Sequence, residues 1–207
     1  MNPIWKPNVT VAALIERAGR FLLVEEETED GLRFNQPAGH LDHGESLVAA
    51  CARETLEETA WGFRPTALVG IYLWPRARPA GGRTPGRAGG AFEQREQPLA
   101  ASARQRQGFA EHRGAPLPAG RGEPAAAAAA RGRPPDDVSY LRFAFCGELG
   151  AHEAGRALDA GIQRALWMTP DEIRASTERH RSPLVWQCVS DYLAGRRFPL
   201  ELVRHYD

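Results

Sequence analysis

The chain has 207 residues, enough for one domain or one domain with an appendage. Apolar residues make up 43% and charged residues 25%, which excludes collagen-like, disulfide-framework and multi-span membrane proteins. With 26 basic and 26 acidic residues the formal charge is zero, so the basic excess that marks many nucleic-acid binders is absent.

The elements follow in chain order. Met1 to Pro7 has no basic stretch leading into an apolar run, so no signal peptide is expected. No run of about 18 apolar residues exists, so no membrane-spanning helix is expected either. Residues 8–16 alternate, with Val9, Val11, Ala13 and Ile15 on one face. Arg17-Ala18-Gly19-Arg20 reads as a turn and Phe21-Leu22-Leu23-Val24 as a buried strand, so 8–26 is expected as a hairpin. After the Glu29-Asp30-Gly31 turn, Leu32-Arg33-Phe34 forms a short strand that enters Asn35-Gln36-Pro37-Ala38-Gly39.

A helix is expected from Ser46 to Thr59, with Val48, Ala52, Thr55, Leu56 and Thr59 facing the core. Residues 66–74 and 137–147 read as strands. In the second, Leu141, Phe143 and Phe145 share one face, and Tyr140, Arg142 and Ala144 the other. Ala165-Leu166-Trp167 is a further strand, before the helix start Thr169-Pro170-Asp171-Glu172. The last helix opens at Ser182-Pro183, with Ser182 as its cap. It carries Leu184, Val185, Cys188, Val189, Tyr192 and Leu193 on one face and stops at Gly195. Intermixed strands and helices of this kind predict an α/β fold, a mixed sheet packed between helices.

Residues 76–135 stand apart. These 60 residues hold 16 Ala, 11 Arg, 10 Gly and 8 Pro, with no Val or Ile. Such a segment buries too little apolar surface to offset its ordering entropy, so it is expected to be a disordered insertion. Its 11 arginines against 4 glutamates give a net +7, leaving 15 basic and 22 acidic residues elsewhere. Sparse aromatics and the lack of a repeat favour a tolerated loop over an RNA-binding arm. Residues 1–75 and 136–207 then form one domain, with the insertion where a hairpin loop would lie; loop closure costs grow only slowly with length.

Three cysteines, Cys51, Cys146 and Cys188, are too few and too far apart for a disulfide scaffold or a zinc site. They are expected as reduced core thiols in a cytoplasmic protein. His40 and His43 lack a third soft ligand nearby, Asp42 is expected to face solvent, and the Gly81-Gly82 and Gly89-Gly90 pairs lack the context of a phosphate loop.

The chemistry concentrates between Gly39 and Glu58. Glu54, Glu57 and Glu58 are spaced i, i+3, i+4, so on a helix they project from one face and repel. Clustered hard oxygen ligands suit Mg²⁺ or Mn²⁺ rather than zinc. A divalent ion there would relieve the repulsion, bind phosphate oxygens and acidify a bound water, which implies attack of water on phosphorus.

The segment resembles the Nudix box: Gly39, five residues, Glu45, seven residues, then Arg53-Glu54, with Glu57 and Glu58 following at the required spacing. Two softer positions depart, Thr55 where an aliphatic is expected and Ala60 where a glycine is expected. Thr55 keeps a β-branched shape for the core. Ala60 lacks easy access to positive φ, and Gly62 is expected to take over the turn. Further blocks are similar to the NudJ-like phosphatase subgroup: Asn8-Val9-Thr10-Val11-Ala12, Asn35-Gln36-Pro37-Ala38-Gly39-His40-Leu41, Tyr140-Leu141-Arg142-Phe143, Arg181-Ser182-Pro183-Leu184-Val185 and Arg197-Phe198-Pro199-Leu200-Glu201.

The resemblance implies a Nudix-type α/β/α sandwich that uses Mg²⁺, with Mn²⁺ as the alternative. Glu54, Glu57 and Glu58 correspond to metal ligands, joined by the Gly39 carbonyl. Arg53 and Glu45 correspond to residues that pair to orient the acidic helix, and Glu54 is the expected group for activating water. The implied substrates are small phosphorylated molecules: nucleoside tri- and diphosphates, thiamine diphosphate and hydroxymethylpyrimidine diphosphate, losing terminal phosphate. Trp74 and Tyr140 are candidates for an aromatic wall against a flat ring, and Arg142 for a phosphate contact. Neither a membrane nor a nucleic acid is expected as partner, and the chain is expected to be monomeric. The competing readings are release of pyrophosphate from nucleoside triphosphates, and a Nudix-like module that senses nucleotides without hydrolysing them.

Overall fold

The computed structural model of the protein describes residues 5–76 and 138–206. The expected insertion, residues 76–135, lies outside the described residues apart from Arg76. Eight strands are found among the described residues: β1 (Asn8–Leu14), β2 (Glu16–Arg17), β3 (Arg20–Thr28), β4 (Gly31–Asn35), β5 (Ala38–His40), β6 (Trp61–Arg76), β7 (Val138–His152) and β8 (Ile162–Met168). Three α-helices accompany them: α1 (Leu47–Thr59), α2 (Pro170–Ala175) and α3 (Leu184–Leu193). None of the described helices is long and apolar enough to cross a membrane.

The main sheet is mixed, in the order β5-β1-β7-β6. β1 runs parallel to β7, from Asn8 opposite Tyr140 to Leu14 opposite Cys146, and antiparallel to β5. Helices cover both faces, which is why β1 is buried over Val11–Leu14 rather than only on alternate residues. On one face Val11, Ala13 and Phe145 pack with Ala50 and Cys51 of α1. On the other, Leu14, Val69, Ala144 and Cys146 pack with Cys188 of α3. The result is an α/β/α sandwich. In a second sheet β3 pairs with β2, β4 and β8, and its Phe21 and Leu23 cluster with Ile173, Val185 and Val189 of α2 and α3.

The first hairpin is smaller than expected. It joins β2 to β3 through Ala18-Gly19, with Arg17 opposite Arg20, whereas β1 belongs to the other sheet. Ile15 is the point where the chain changes sheets, and no periodicity signal marks such a switch. The predicted neighbours 66–74 and 137–147 do pair, as β6 and β7, from Trp61 opposite His152 to Arg76 opposite Val138.

α1 begins as expected, with the Ser46 hydroxyl accepting a hydrogen bond from the Ala49 N–H at 3.1 Å. Its core face is rotated from the expected stripe: Ala50, Cys51, Thr55 and Thr59 are buried, while Val48, Ala52 and Leu56 are only half-buried. Thr55 fits the core because its hydroxyl donates to the Cys51 carbonyl at 2.7 Å. Gly62 does not make the helix-ending turn; Ala60 does so itself, at φ 57°. Thr59 supports that strained end, its hydroxyl donating to the Thr55 carbonyl and accepting from the Trp61 N–H.

α2 opens with a full capping box, the Thr169 hydroxyl accepting from the Glu172 N–H and the Glu172 carboxylate from the Thr169 N–H. α3 does not open in that way. Pro183 stands at its cap position without a side-chain bond, and the Ser182 Oγ is buried without a partner. Gly195 ends α3 at φ 79° as expected, but Leu193 is exposed, because the core lies toward Val185, Cys188 and Val189. All three cysteines are buried free thiols.

Two predictions follow from local geometry. Ala18, exposed and at φ 52°, stands before Gly19 at φ 76°, where a two-residue hairpin turn favours Asn-Gly. Ala18→Asn is expected to stabilise the protein by about 1 kcal/mol, read as a rise in thermal midpoint; an unchanged or lower midpoint would show no strain there. Because Arg76 and Val138 are register partners, a two-residue Asn-Gly turn replacing residues 77–137 is expected to preserve cooperative unfolding and turnover. Loss of turnover in a folded deletion variant would give that segment a part in substrate handling.

Candidate active site

α1 and β5 build the site from opposite sides. α1 carries Arg53, Glu54, Glu57 and Glu58, and β5 carries Gly39. The Arg53 guanidinium binds Glu45 through two bonds, Nε to Oε1 at 3.0 Å and Nη2 to Oε2 at 2.9 Å. Its Nη1 donates to Glu54 Oε1 at 2.8 Å and to Glu57 Oε2 at 3.0 Å, and its Nη2 donates to the His40 carbonyl. Asp42, largely exposed as expected, stands 3.7 Å from the same guanidinium. Hydrogen bonding to Arg53 holds the Glu45 carboxyl below its usual range, against the opposing effect of burial. The same set of acids holds Arg53 firmly protonated.

The acids are more numerous than one cation can neutralise. Glu54, Glu57 and Asp159 each offer an oxygen within 4.8 Å of one another. Asp159 comes from the loop between β7 and β8, and its N–H donates to the Glu57 carbonyl at 3.1 Å, which ties that loop to α1. The Gly39 position is closed around Glu54: a Cβ there would lie 2.1 Å from the Glu54 carboxyl carbon. Burial raises the Glu54 pKa, with Arg53 pulling the other way. Glu58 is not one of those three, but it interacts electrostatically with Glu54 and Asp159. Its Oε2 accepts from the Ala38 N–H at 2.8 Å, and burial pushes its pKa up to about 9. An excess of hard oxygen donors in this arrangement fits a divalent cation.

Glu54 and Glu58 also line a cavity of about 310 Å³. It brings Gly39 and His40 together with Trp74 and Tyr140, and with the polar residues Thr10, Glu26, Asn35, Arg142, Arg181 and Ser182. The sheet register explains the grouping. Thr10 stands between His40 on β5 and Arg142 on β7, and Tyr140, two residues before Arg142, is opposite Trp74 on β6. The Trp74 and Tyr140 rings stack at 5.8 Å with an interplanar angle of 24°. His40 lies against Tyr140, at 6.4 Å between ring centroids, whereas His43 is exposed. Cys51 points into the core, and burial together with the neighbouring Glu54 pushes its thiol up, so it is no nucleophile.

Sequence reasoning missed Asp159, Thr10 and Glu26, and gave Ser182 a capping role. Asp159 sits in the short Leu158-Asp159-Ala160-Gly161 stretch, where an acid before a glycine turn carries no special signal. Thr10 and Glu26 lie in strands, and only the register shows what they face. For Gly39 the close fit gives a direct expectation: Gly39→Ala would displace the Glu54 carboxylate, leaving the far-ultraviolet circular dichroism unchanged while turnover falls by at least about 10²-fold. Near-normal turnover in that variant would show that Glu54 can act from elsewhere.

A sequence model of the NUDIX domain matches residues 5–97. Phosphatase NudJ of Escherichia coli strain K12 is 27% identical over 204 residues, covering 99% of this chain and 95% of that protein. A NUDIX hydrolase from Nitrosomonas europaea is 37% identical, covers 97% of this chain and 98% of its own, and superposes with a TM-score of 0.67. The MutT protein of Methanosarcina mazei, at 18% identity and a TM-score of 0.52, shares the fold. With the box residues gathered on α1 and β5 and this near full-length similarity, the chain belongs to the Nudix hydrolase family.

Proposed function

We propose that this Nudix hydrolase is a Mg²⁺-dependent phosphatase that releases orthophosphate from nucleoside tri- and diphosphates and from thiamine-type diphosphates. The observation that carries the reading is the convergence of Glu54, Glu57 and Asp159, with Glu54 shared by the cavity that holds Trp74, Tyr140 and Arg142. The substrates enter through the similarity to phosphatase NudJ. Mn²⁺ is the alternative metal, and a monomer in the cytoplasm acting on a small phosphorylated molecule completes the proposal.

Glu54, Glu57 and Glu58, with the Gly39 carbonyl, are the proposed metal ligands, and Asp159 joins Glu54 and Glu57 in the acidic cluster. A bound divalent ion would supply charge neutralisation at phosphate and a more acidic water. Arg53, braced by Glu45, fixes the carboxylates of Glu54 and Glu57 so that little reorganisation is needed when substrate arrives. Glu54 takes the proton of the attacking water as its oxygen bonds to phosphorus. The bridging P–O bond then breaks, giving orthophosphate and a shortened phosphate ester. Trp74 and Tyr140 present ring surface to a flat organic group, which tolerates several ring types because stacking reads no hydrogen-bond pattern.

The test is phosphate release from a panel of nucleotides and thiamine-type diphosphates, with Mg²⁺ and with EDTA. Orthophosphate as the product, abolished by EDTA, is expected. Pyrophosphate from triphosphates would move the attack to an inner phosphorus, and binding without any release would favour a sensing module. Glu57→Gln is expected to lower the rate about 10²-fold, some 3 kcal/mol in barrier. Asp159→Asn is expected to cost about tenfold by weakening the same cluster. Full activity in both variants would refute the assignment.

A further inference from the structure

We propose that Arg142, Ser182 and Thr10 form a preformed seat for a phosphate group, the one that stays on the organic product after the terminal phosphate is cleaved. The proposal rests on the phosphohydrolase reading for its biological role, but the seat is a property of the cavity itself.

All three residues line the cavity, and all three are more than nine-tenths buried: Arg142 is 8% exposed, Ser182 5% and Thr10 6%. Each carries a buried polar atom without a hydrogen-bond partner, namely Arg142 Nε, Ser182 Oγ and Thr10 Oγ1; in the same lining the acceptor Glu26 Oε1 also lacks one. A buried polar atom left unpaired costs free energy, and a buried charge left unpaired costs more. Three such donors in one small space indicate a group that satisfies them together.

The buried Arg142 guanidinium selects an anion. Among the described residues no carboxylate forms an ion pair with Arg142; its Nη1 reaches only the amide oxygens of Asn35 and Gln36, at 3.4 Å each. The nearby Glu26 carboxylate is matched by Arg181, whose Nε lies 3.6 Å from Glu26 Oε1. Glu26 and Glu58 act on Arg142 only through space, so the guanidinium has no carboxylate bonded to it among the described residues. Leu184, the first residue of the ten-residue α3, lines the same cavity, so the positive end of that helix adds to the field. The seat also shares its cavity with the aromatic pair and with Glu54. A phosphate bound there would therefore have ring surface and the reacting end of the substrate within one enclosure. This assigns Ser182 a binding role in place of capping.

The experiment is calorimetric titration of the full chain in EDTA, with adenosine monophosphate and orthophosphate as separate probes. EDTA keeps divalent ions away from the acidic cluster, so the seat is read alone. The expected result is that the monophosphate binds the unaltered protein at least as tightly as orthophosphate. Its affinity should fall about tenfold in Ser182→Ala and in Thr10→Val, and by more than about 10²-fold in Arg142→Gln. Near-ultraviolet circular dichroism verifies folding. Should Arg142→Gln fail to fold, the two hydroxyl variants carry the test. The proposal is overturned by binding of orthophosphate alone, by no phosphate binding in EDTA, or by unchanged affinity in the folded variants. Failure of the phosphohydrolase reading is seen separately, as absence of Mg²⁺-stimulated phosphate release from the unaltered protein.

Discussion

A single guanidinium, that of Arg53, holds the site together. It bonds to Glu45, Glu54 and Glu57 and lies near Asp42, so one positive charge faces four negative ones. Without it, carboxylates at i, i+3 spacing on α1 would repel and turn toward solvent. With it, they are fixed but not neutralised, and Asp159 adds a further charge from another loop. The site thus has a rigid negative surplus at a defined place, and a divalent cation is the simple chemical response to it.

That surplus sits beside a cavity of mixed character, lined by Arg142 and Arg181 as well as by carboxylates. There Arg142, Ser182 and Thr10 each hold a buried atom that can donate and has no partner, beside the unpartnered Glu26 Oε1. Glu54 belongs to both regions, and Gly39 allows this because any side chain at that position would occupy the volume of the Glu54 carboxyl group. The fold supplies the proximity. Parallel pairing of β1 with β7 sets Thr10 beside Arg142, and antiparallel pairing of β6 with β7 sets Trp74 beside Tyr140. Residues 132 positions apart in the first case and 66 in the second become neighbours through two strand registers.

Much of this was legible before any coordinates. The helix from Ser46, the β6–β7 pair, the capped helix start at Thr169 and the Arg53–Glu45 pairing all arise from local patterns or from a motif of fixed spacing. What was not legible depends on long-range placement. The first hairpin was misjudged because alternation along β1 is compatible with either sheet. The core face of α1 was rotated because Thr55 is accommodated through its bond to the Cys51 carbonyl, and because Glu54 and Glu58 are themselves buried. Ala60 takes a left-handed conformation that its residue type disfavours, since the chain must enter β6 at Trp61 at once. Ser182 looked like a cap from its neighbour Pro183, and only the cavity reveals another surrounding. Asp159 carries no motif, and its proximity to Glu54 and Glu57 follows from how its loop bonds to the end of α1.

On the proposed reading, the acidic surplus on α1 takes up a divalent ion. Direct titration of the substrate-free protein with Mn²⁺, followed by the electron paramagnetic resonance of the free ion, measures this without reference to any reaction. Saturable uptake is expected in the unaltered chain, and it should weaken when Glu54 and Glu57 are both replaced by glutamine. Uptake that is absent, or that persists undiminished in the doubly substituted protein, would contradict it.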